Sequence, residues 1–246
     1  MHALWAAAVR EARFNREFRL EETLFYTAIA LGGLLILAYF SRRLMATYGL
    51  DAPRAAMLNL LGDLWAGSVV ILAVHHGGQS VLEYLGLSRP TLLAIGIGIG
   101  AQCTLELIPI GLRLMAFYGS CGLITGCPSI SFNTSALART DFAAWSTVII
   151  MAPVCEEIVV RGFLYSGLVR SIKSPFIAIG ITALVFTLMH VDVQLHPSGF
   201  RVLWLLGSGL LYGFLRWKTG SLWPSITAHV VGNLIAIMSM SYAVIR

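Results

Sequence analysis

Long apolar stretches recur along the whole chain and constrain its fold more than any other sequence feature. A membrane-crossing helix needs roughly 20 mostly apolar residues, and its backbone polar groups must all be satisfied within the segment. Two of the stretches are short for this length, and we expect them to be tilted or partly re-entrant. The apolar windows fall at residues 23–40, 57–76, 91–112, 142–169, 175–190, 201–216 and 222–243.

The composition agrees with a membrane protein. Hydrophobic residues make up 57% of the 246 residues and charged residues only 12%, whereas soluble domains carry about 25% charged residues. We therefore expect an all-α fold, a polytopic transmembrane helix bundle of about seven, or eight, spans in the cytoplasmic membrane. The net charge is +5, and the basic residues lie near the ends of apolar runs. This placement predicts contacts with the lipid bilayer and not with nucleic acid.

The chain shows no internal repeat and no boundary of a soluble domain. Residues 1–22 mix four Arg with four Glu, and we interpret them as an amphipathic surface helix and not as a cleavable signal. Residues 23–246 then form a single transmembrane domain. The Gly-, Ser- and Asn-rich residues 118–140 predict a loop that has a function or packs over the bundle mouth. In this loop, Cys121 and Cys127 either pair or remain free thiols.

Three charged residues, Glu156, Glu157 and Arg161, lie inside the fourth apolar window. Each charge at the middle of a bilayer costs roughly 2.5–3.5 kcal/mol, so the surrounding helices must neutralise or hydrate this cluster. Residues four apart on a helix share a face, which predicts a buried Glu157–Arg161 ion pair. Glu156 projects in another direction and lacks that partner. We expect it to be the carboxylate that is available as a general base.

Two more polar groups follow in later apolar windows. Phe186 and His190 lie one helical turn apart, and so do His229 and Asn233. An imidazole and a carboxamide on one face can donate hydrogen bonds to a developing oxyanion. Taken singly, an intramembrane His or Asn is often only a bond between helices. Their joint occurrence with the charged cluster favours a functional site.

The three motifs resemble those of the CPBP family of intramembrane proteases, also called the Abi or type II CAAX protease family. They are Glu-Glu-x-x-x-Arg at 156–161, Phe-x-x-x-His at 186–190 and His-x-x-x-Asn at 229–233, in this order. The resemblance covers roughly residues 145–235. It implies a glutamic-type intramembrane endopeptidase that hydrolyses peptide bonds of membrane-embedded, lipid-anchored or hydrophobic substrates.

The resemblance also implies a role for each motif residue. Glu156 and His190 would activate a water molecule, and His229 and Asn233 would hold the oxyanion. Glu157 and Arg161 would orient the site, with Phe186 packed beside it. No metal or other cofactor is implied. A metal stays open, because Glu156, His190 and His229 also match the two-histidine, one-carboxylate composition of some zinc sites.

Two other functions remain open at this stage. Intramembrane Glu and His residues can relay protons or bind cations in a transporter or channel. A member of the family can also act as a scaffold or immunity protein without turnover. Two more acids, Asp63 and Glu106, lie in the second and third apolar windows. We expect them near an interface or bonded to a neighbouring helix, with a hydrated access path as the alternative.

Overall fold

The computed structural model describes residues 18–49, 51–121, 129–132, 146–190, 199–240 and 242–245. Within this part of the chain the fold is a helix bundle. Its helices are α1 (Leu20–Tyr48), α2 (Ala52–His76), α3 (Val81–Tyr84), α4 (Leu92–Cys121), α5 (Ala152–Glu157), α6 (Tyr165–Ile172), α7 (Pro175–His190), α8 (Gly199–Thr219) and α9 (Trp223–Met240). Two π-helical segments, Thr147–Met151 and Ile158–Leu164, flank α5. We call the run 147–172 the motif helix.

Local sequence signals set the end of α1 and the start of α2. Gly49 follows α1 in the left-handed conformation, with φ of 66°, which glycine adopts without the steric cost of a Cβ. Two residues later, the Asp51 side chain accepts a hydrogen bond from the Arg54 backbone N–H at 3.0 Å and caps α2. Pro53 lies in the first turn, where its missing N–H costs nothing. The result is a tight antiparallel pair of long helices.

The motif helix departs from regular α geometry at both π-helical segments. Such widened turns are rare and are frequent at functional sites. Carbonyl groups in these segments accept side-chain hydrogen bonds from other helices. Val148 accepts from the Asn233 carboxamide at 2.9 Å, and Arg161 accepts from Arg216 Nε at 3.3 Å. The irregular backbone is therefore bonded to α8 and α9.

Helices α7 and α8 pack closely because two glycines of α8 lack side chains. A Cβ placed on Gly209 would lie 3.0 Å from the Ala183 backbone, and one on Gly213 would lie 3.0 Å from Ile179. This close approach brings the Gly209 carbonyl and the neighbouring Tyr212 ring towards the motif helix. The arrangement positions two contacts of the candidate site.

The core and the outer surface differ as expected for a protein surrounded by lipid. The motif helix lies at the centre, where Val159, Val160 and Phe163 have no exposed surface. In contrast, Phe25 and Ile36 of α1 are 59% and 57% exposed. Large apolar side chains with this exposure require an apolar surrounding.

The structure confirms part of the predicted span pattern. Three helices are long and apolar enough to cross a membrane, Leu20–Tyr48, Pro53–His76 and Leu92–Leu112, and they match the first three predicted windows. Pro175–His190 and Trp223–Met238 are shorter apolar helices. The expected total of seven or eight spans goes beyond these described helices and stays a prediction.

Two short strands depart from the all-α expectation. β1 (Ser129–Phe132) and β2 (Tyr242–Ile245) pair antiparallel, with Ser129 opposite Ile245. Both segments contain β-branched or aromatic residues that favour strands. β1 falls in the stretch 118–140 that was predicted to be a loop. The rest of that stretch beyond Cys121, the predicted surface helix up to Phe18, and the question of a Cys121–Cys127 pair lie outside the described residues.

Candidate active site

The Glu156 carboxylate lies between the two histidines of the later motifs. Its Oε2 atom is 3.6 Å from His190 Nε2 and 3.9 Å from His229 Nε2. These residues come from α5, α7 and α9, so three segments that are distant in sequence meet at one carboxylate. The side chains of Glu156 and His190 are 12% and 30% exposed. The structure thus brings together three of the four residues predicted to be catalytic.

Both imidazoles are oriented by a hydrogen bond at Nδ1. His190 Nδ1 lies 2.8 Å from the Phe186 carbonyl oxygen, and His229 Nδ1 lies 3.2 Å from Glu157 Oε1. A carbonyl oxygen and an ionised carboxylate can only accept hydrogen bonds. Each Nδ1 is therefore the donor, and each Nε2 is left facing Glu156.

A fully buried ion pair supports His229 from behind. Arg161 Nη1 donates to Glu157 Oε1 at 2.9 Å, and neither side chain has exposed surface. Arg161 Nη2 also donates to the Gly209 carbonyl at 3.1 Å. This is the pair that the i,i+4 spacing predicts. Because the same Glu157 oxygen also accepts from His229, the ion pair fixes the position of that imidazole.

Two aromatic rings enclose the histidines. The Tyr212 ring stacks on His229 with 4.9 Å between centroids and 21° between planes. Phe186 lies 5.3 Å from His229 and 4.4 Å from His190, so it packs beside the site as predicted. Tyr212 was missed by the sequence reasoning. Its only signal is a hydroxyl-bearing ring in the middle of an apolar window.

Asn233 lies one turn beyond His229 on α9, but it faces the first π-helical segment. Its Nδ2 donates to the Val148 carbonyl at 2.9 Å. Among the residues that the structure describes, Asn233 makes no hydrogen bond to Glu156 or to either histidine. A carboxamide carries two N–H donors, so one of them remains for another acceptor.

The cluster has the composition and spacing that could hold a metal ion. One ligand atom each from Glu156, His190 and His229 lies within 4.8 Å of the other two. Metal-binding histidines commonly donate their other N–H to a carbonyl or carboxylate, as both imidazoles do here. The same three side chains can also surround a water molecule. The geometry is compatible with both occupants.

A cavity of about 290 Å³ opens next to Glu156 and His190. Its lining also includes Asn59 and Asp63 of α2. Asp63 is only 5% exposed, because the packing of α2 against the motif helix encloses this residue, and its place in the cavity lining fits the alternative of an access path. Glu106 is buried too, and it accepts a hydrogen bond from Gln102 of its own helix at 2.8 Å.

Comparison with known proteins agrees with the motifs. A family model described as type II CAAX prenyl endopeptidase Rce1-like matches residues 138–235, which include all three motifs. This match supports membership of the CPBP family. No curated protein matches it, and no solved structure does. Together with the long apolar helices, this match indicates an integral membrane protein.

Proposed function

We propose that this CPBP protein is an intramembrane endopeptidase that cleaves membrane-embedded or hydrophobic peptides with a water molecule activated by Glu156. The observation that carries the proposal is the position of the Glu156 carboxylate, which faces two imidazole Nε2 atoms next to a cavity. A hydrolase needs a base, a place for water and a place for the substrate. This site supplies all three in one part of the bundle.

The base acts on a water held between Glu156 and His190. Their Oε2 and Nε2 atoms are both acceptors and lie 3.6 Å apart, which is too far for a direct hydrogen bond. One water can donate one proton to each. As its oxygen attacks the peptide carbonyl carbon, Glu156 takes one proton. Glu156 then gives this proton to the leaving nitrogen as the C–N bond breaks.

His229 and Asn233 hold the negative charge that forms on the carbonyl oxygen. Asn233 contributes the carboxamide N–H that its bond to Val148 does not use. His229 already donates from Nδ1 to Glu157, so it must carry a second proton on Nε2 to act here. Removing one such donor from other enzymes costs about 10²–10³-fold in kcat.

The proposal is tested by comparing membranes that contain the wild-type protein with membranes that contain Glu156→Ala. Quantitative proteomics should reveal at least one precursor that accumulates only with the variant. Glu83→Gln is the matched control, because it removes an exposed acid that does not line the cavity. Identical precursor profiles for wild type and Glu156→Ala would contradict the protease function. They would favour a scaffold, and ion-dependent flux in liposomes would favour a transporter.

A further inference from the structure

The cavity next to Glu156 is also lined by polar groups of α2 that have no partner among the described residues. Asp63 is 5% exposed and lines the same cavity as Glu156 and His190. It makes no hydrogen bond and no ion pair with any residue of the described part of the chain. Asn59 lies one turn earlier on α2, and its buried Oδ1 atom has no hydrogen-bond partner either. These two side chains point to a ligand.

Unpartnered polar groups at this depth are costly. A buried polar group without a hydrogen bond destabilises a protein by roughly 1–3 kcal/mol, and a charged group by more. Helix α2 needs neither side chain for its own backbone, which bonds within the helix. A group that would supply hydrogen-bond donors at these positions therefore has a free-energy reason to bind there.

The spacing of the two residues matches an extended peptide. Asn59 and Asp63 are four residues apart, which corresponds to about 6 Å along a helix. In an extended chain, the N–H and C=O groups on one edge recur every second residue, at about 6.6–6.8 Å. A peptide lying along α2 would thus present two sets of main-chain groups at nearly the same interval. A carboxylate accepts an N–H, and a carboxamide both accepts and donates.

We propose that Asn59 and Asp63 form the substrate-binding edge of the cavity, on which the peptide main chain lies extended next to Glu156. Asp63 accepts one main-chain N–H, and Asn59 bonds the main chain two residues away. This inference rests on the proposed peptidase function and names the conformation that the peptidase binds. A substrate helix has its main-chain groups already bonded, so it must unwind locally before it can bind.

The test removes single N–H donors from a substrate. The probe is an internally quenched peptide spanning the cleavage site of the precursor found with Glu156→Ala, and each main-chain N–H is N-methylated in turn. With wild-type protein in detergent, one position that contacts Asp63 should lose roughly 10- to 100-fold in kcat/KM, as expected for a bond to a charged acceptor. The loss should appear mainly in KM.

Coupling to Asp63 distinguishes this contact from a general effect of methylation. With Asp63→Leu, which has a similar shape and cannot accept, methylation at that position should cost less than about twofold. Asp63→Asn accepts without charge, so it should show an intermediate cost of about 2- to 10-fold. It also keeps the test usable if Asp63→Leu does not fold. Asn59→Ala should likewise reduce the cost of methylation, but at the substrate position two residues from the one that contacts Asp63.

Glu106→Gln is the matched control, because Glu106 is a buried acid of α4 that does not line the cavity. This variant should keep the wild-type methylation profile. A profile that is identical in wild type and both Asp63 variants would overturn the binding edge while leaving the peptidase function standing. The binding edge would also be overturned if the substrate positions that couple to Asp63 and Asn59 were adjacent instead of two residues apart. Absence of any Glu156-dependent cleavage would overturn both proposals.

Discussion

The motif helix and α2 both line the cavity, but their buried acidic side chains differ in whether they have hydrogen-bond and ion-pair partners. On the motif helix, Glu157 has no exposed surface and bonds both Arg161 and His229. On α2, Asp63 is almost as deeply buried and makes no such bond to the described residues. Glu156 lies between these extremes, with two imidazoles near its Oε2 atom but at distances longer than hydrogen bonds.

This difference separates the groups that set the geometry from the groups that await a ligand. A buried charge with partners is held in one position, because moving it would leave other charges unpaired. A buried polar group without partners contributes nothing to the resting structure and gains most when a ligand arrives. The motif helix therefore orients the reaction, and α2 offers the surface on which a substrate can lie.

The largest expected effect comes from removing the base on the motif helix. Glu156→Gln keeps the size of the side chain and abolishes proton acceptance, so kcat should fall by about 10²–10⁴-fold. The fold should survive, because Glu156 has no ion pair to lose with Arg161. Cleavage of the quenched peptide, together with a thermal melt in detergent, checks both parts. If Glu156→Gln remained active, Glu156 would not be the base, and its role would no longer differ from that of Glu157.

Breaking the Glu157–Arg161 ion pair should produce the opposite pattern. Its main effect should be a loss of folding stability, and the loss of catalysis should be secondary. Arg161→Met leaves Glu157 buried and unpaired, which should cost roughly 3–5 kcal/mol of unfolding free energy. The double variant Arg161→Met with Glu157→Leu should recover most of that stability and remain inactive, because His229 loses the acceptor at its Nδ1. Denaturation in mixed micelles measures the first effect and peptide cleavage the second.

An exposed pair provides the control for that experiment. Arg54 and Asp51 lie 3.7 Å apart, with side chains 75% and 54% exposed. Arg54→Ala should change the unfolding free energy by less than about 1 kcal/mol, because solvent screens the pair. Equal losses for Arg54→Ala and Arg161→Met would show that burial does not distinguish the two ion pairs.

The sequence was sufficient for the parts of the site that depend on one helix or on motif order. Spacing alone predicted the Glu157–Arg161 pair, and the motif pattern selected Glu156, His190 and His229, which the structure places together. Asp63 was expected near an interface or bonded to a neighbouring helix, and nothing local in the sequence reveals that α2 packs over the motif helix. The contact of Tyr212 with His229 likewise arises from tertiary packing, here of α8 against α9. The π-helical segments have no signature in the apolar pattern.

A smaller effect should follow from changing the ring that stacks on His229. Tyr212→Leu removes the stack and should lower kcat by about 2- to 10-fold with little change in KM, since aromatic pairs contribute about 0.5–1.5 kcal/mol. Tyr212→Phe keeps the ring and should retain near wild-type kcat. If Tyr212→Phe were as impaired as Tyr212→Leu, the hydroxyl and not the stacked ring would support the site.

The smallest effect concerns the N-terminal end of the helix that carries the proposed binding edge. Asp51 caps α2 through the Arg54 N–H, and replacing such a cap by Ala costs about 1 kcal/mol. Asp51→Ala should therefore lower the melting temperature slightly, while Asp51→Ser, which can still cap, should not. Asn59 and Asp63 lie two to three turns further along α2, beyond the reach of a frayed first turn. The methylation profile of the peptide should thus be the same with Asp51→Ala as with wild type. A changed profile would mean that the position of α2 at the cavity depends on the cap of its first turn.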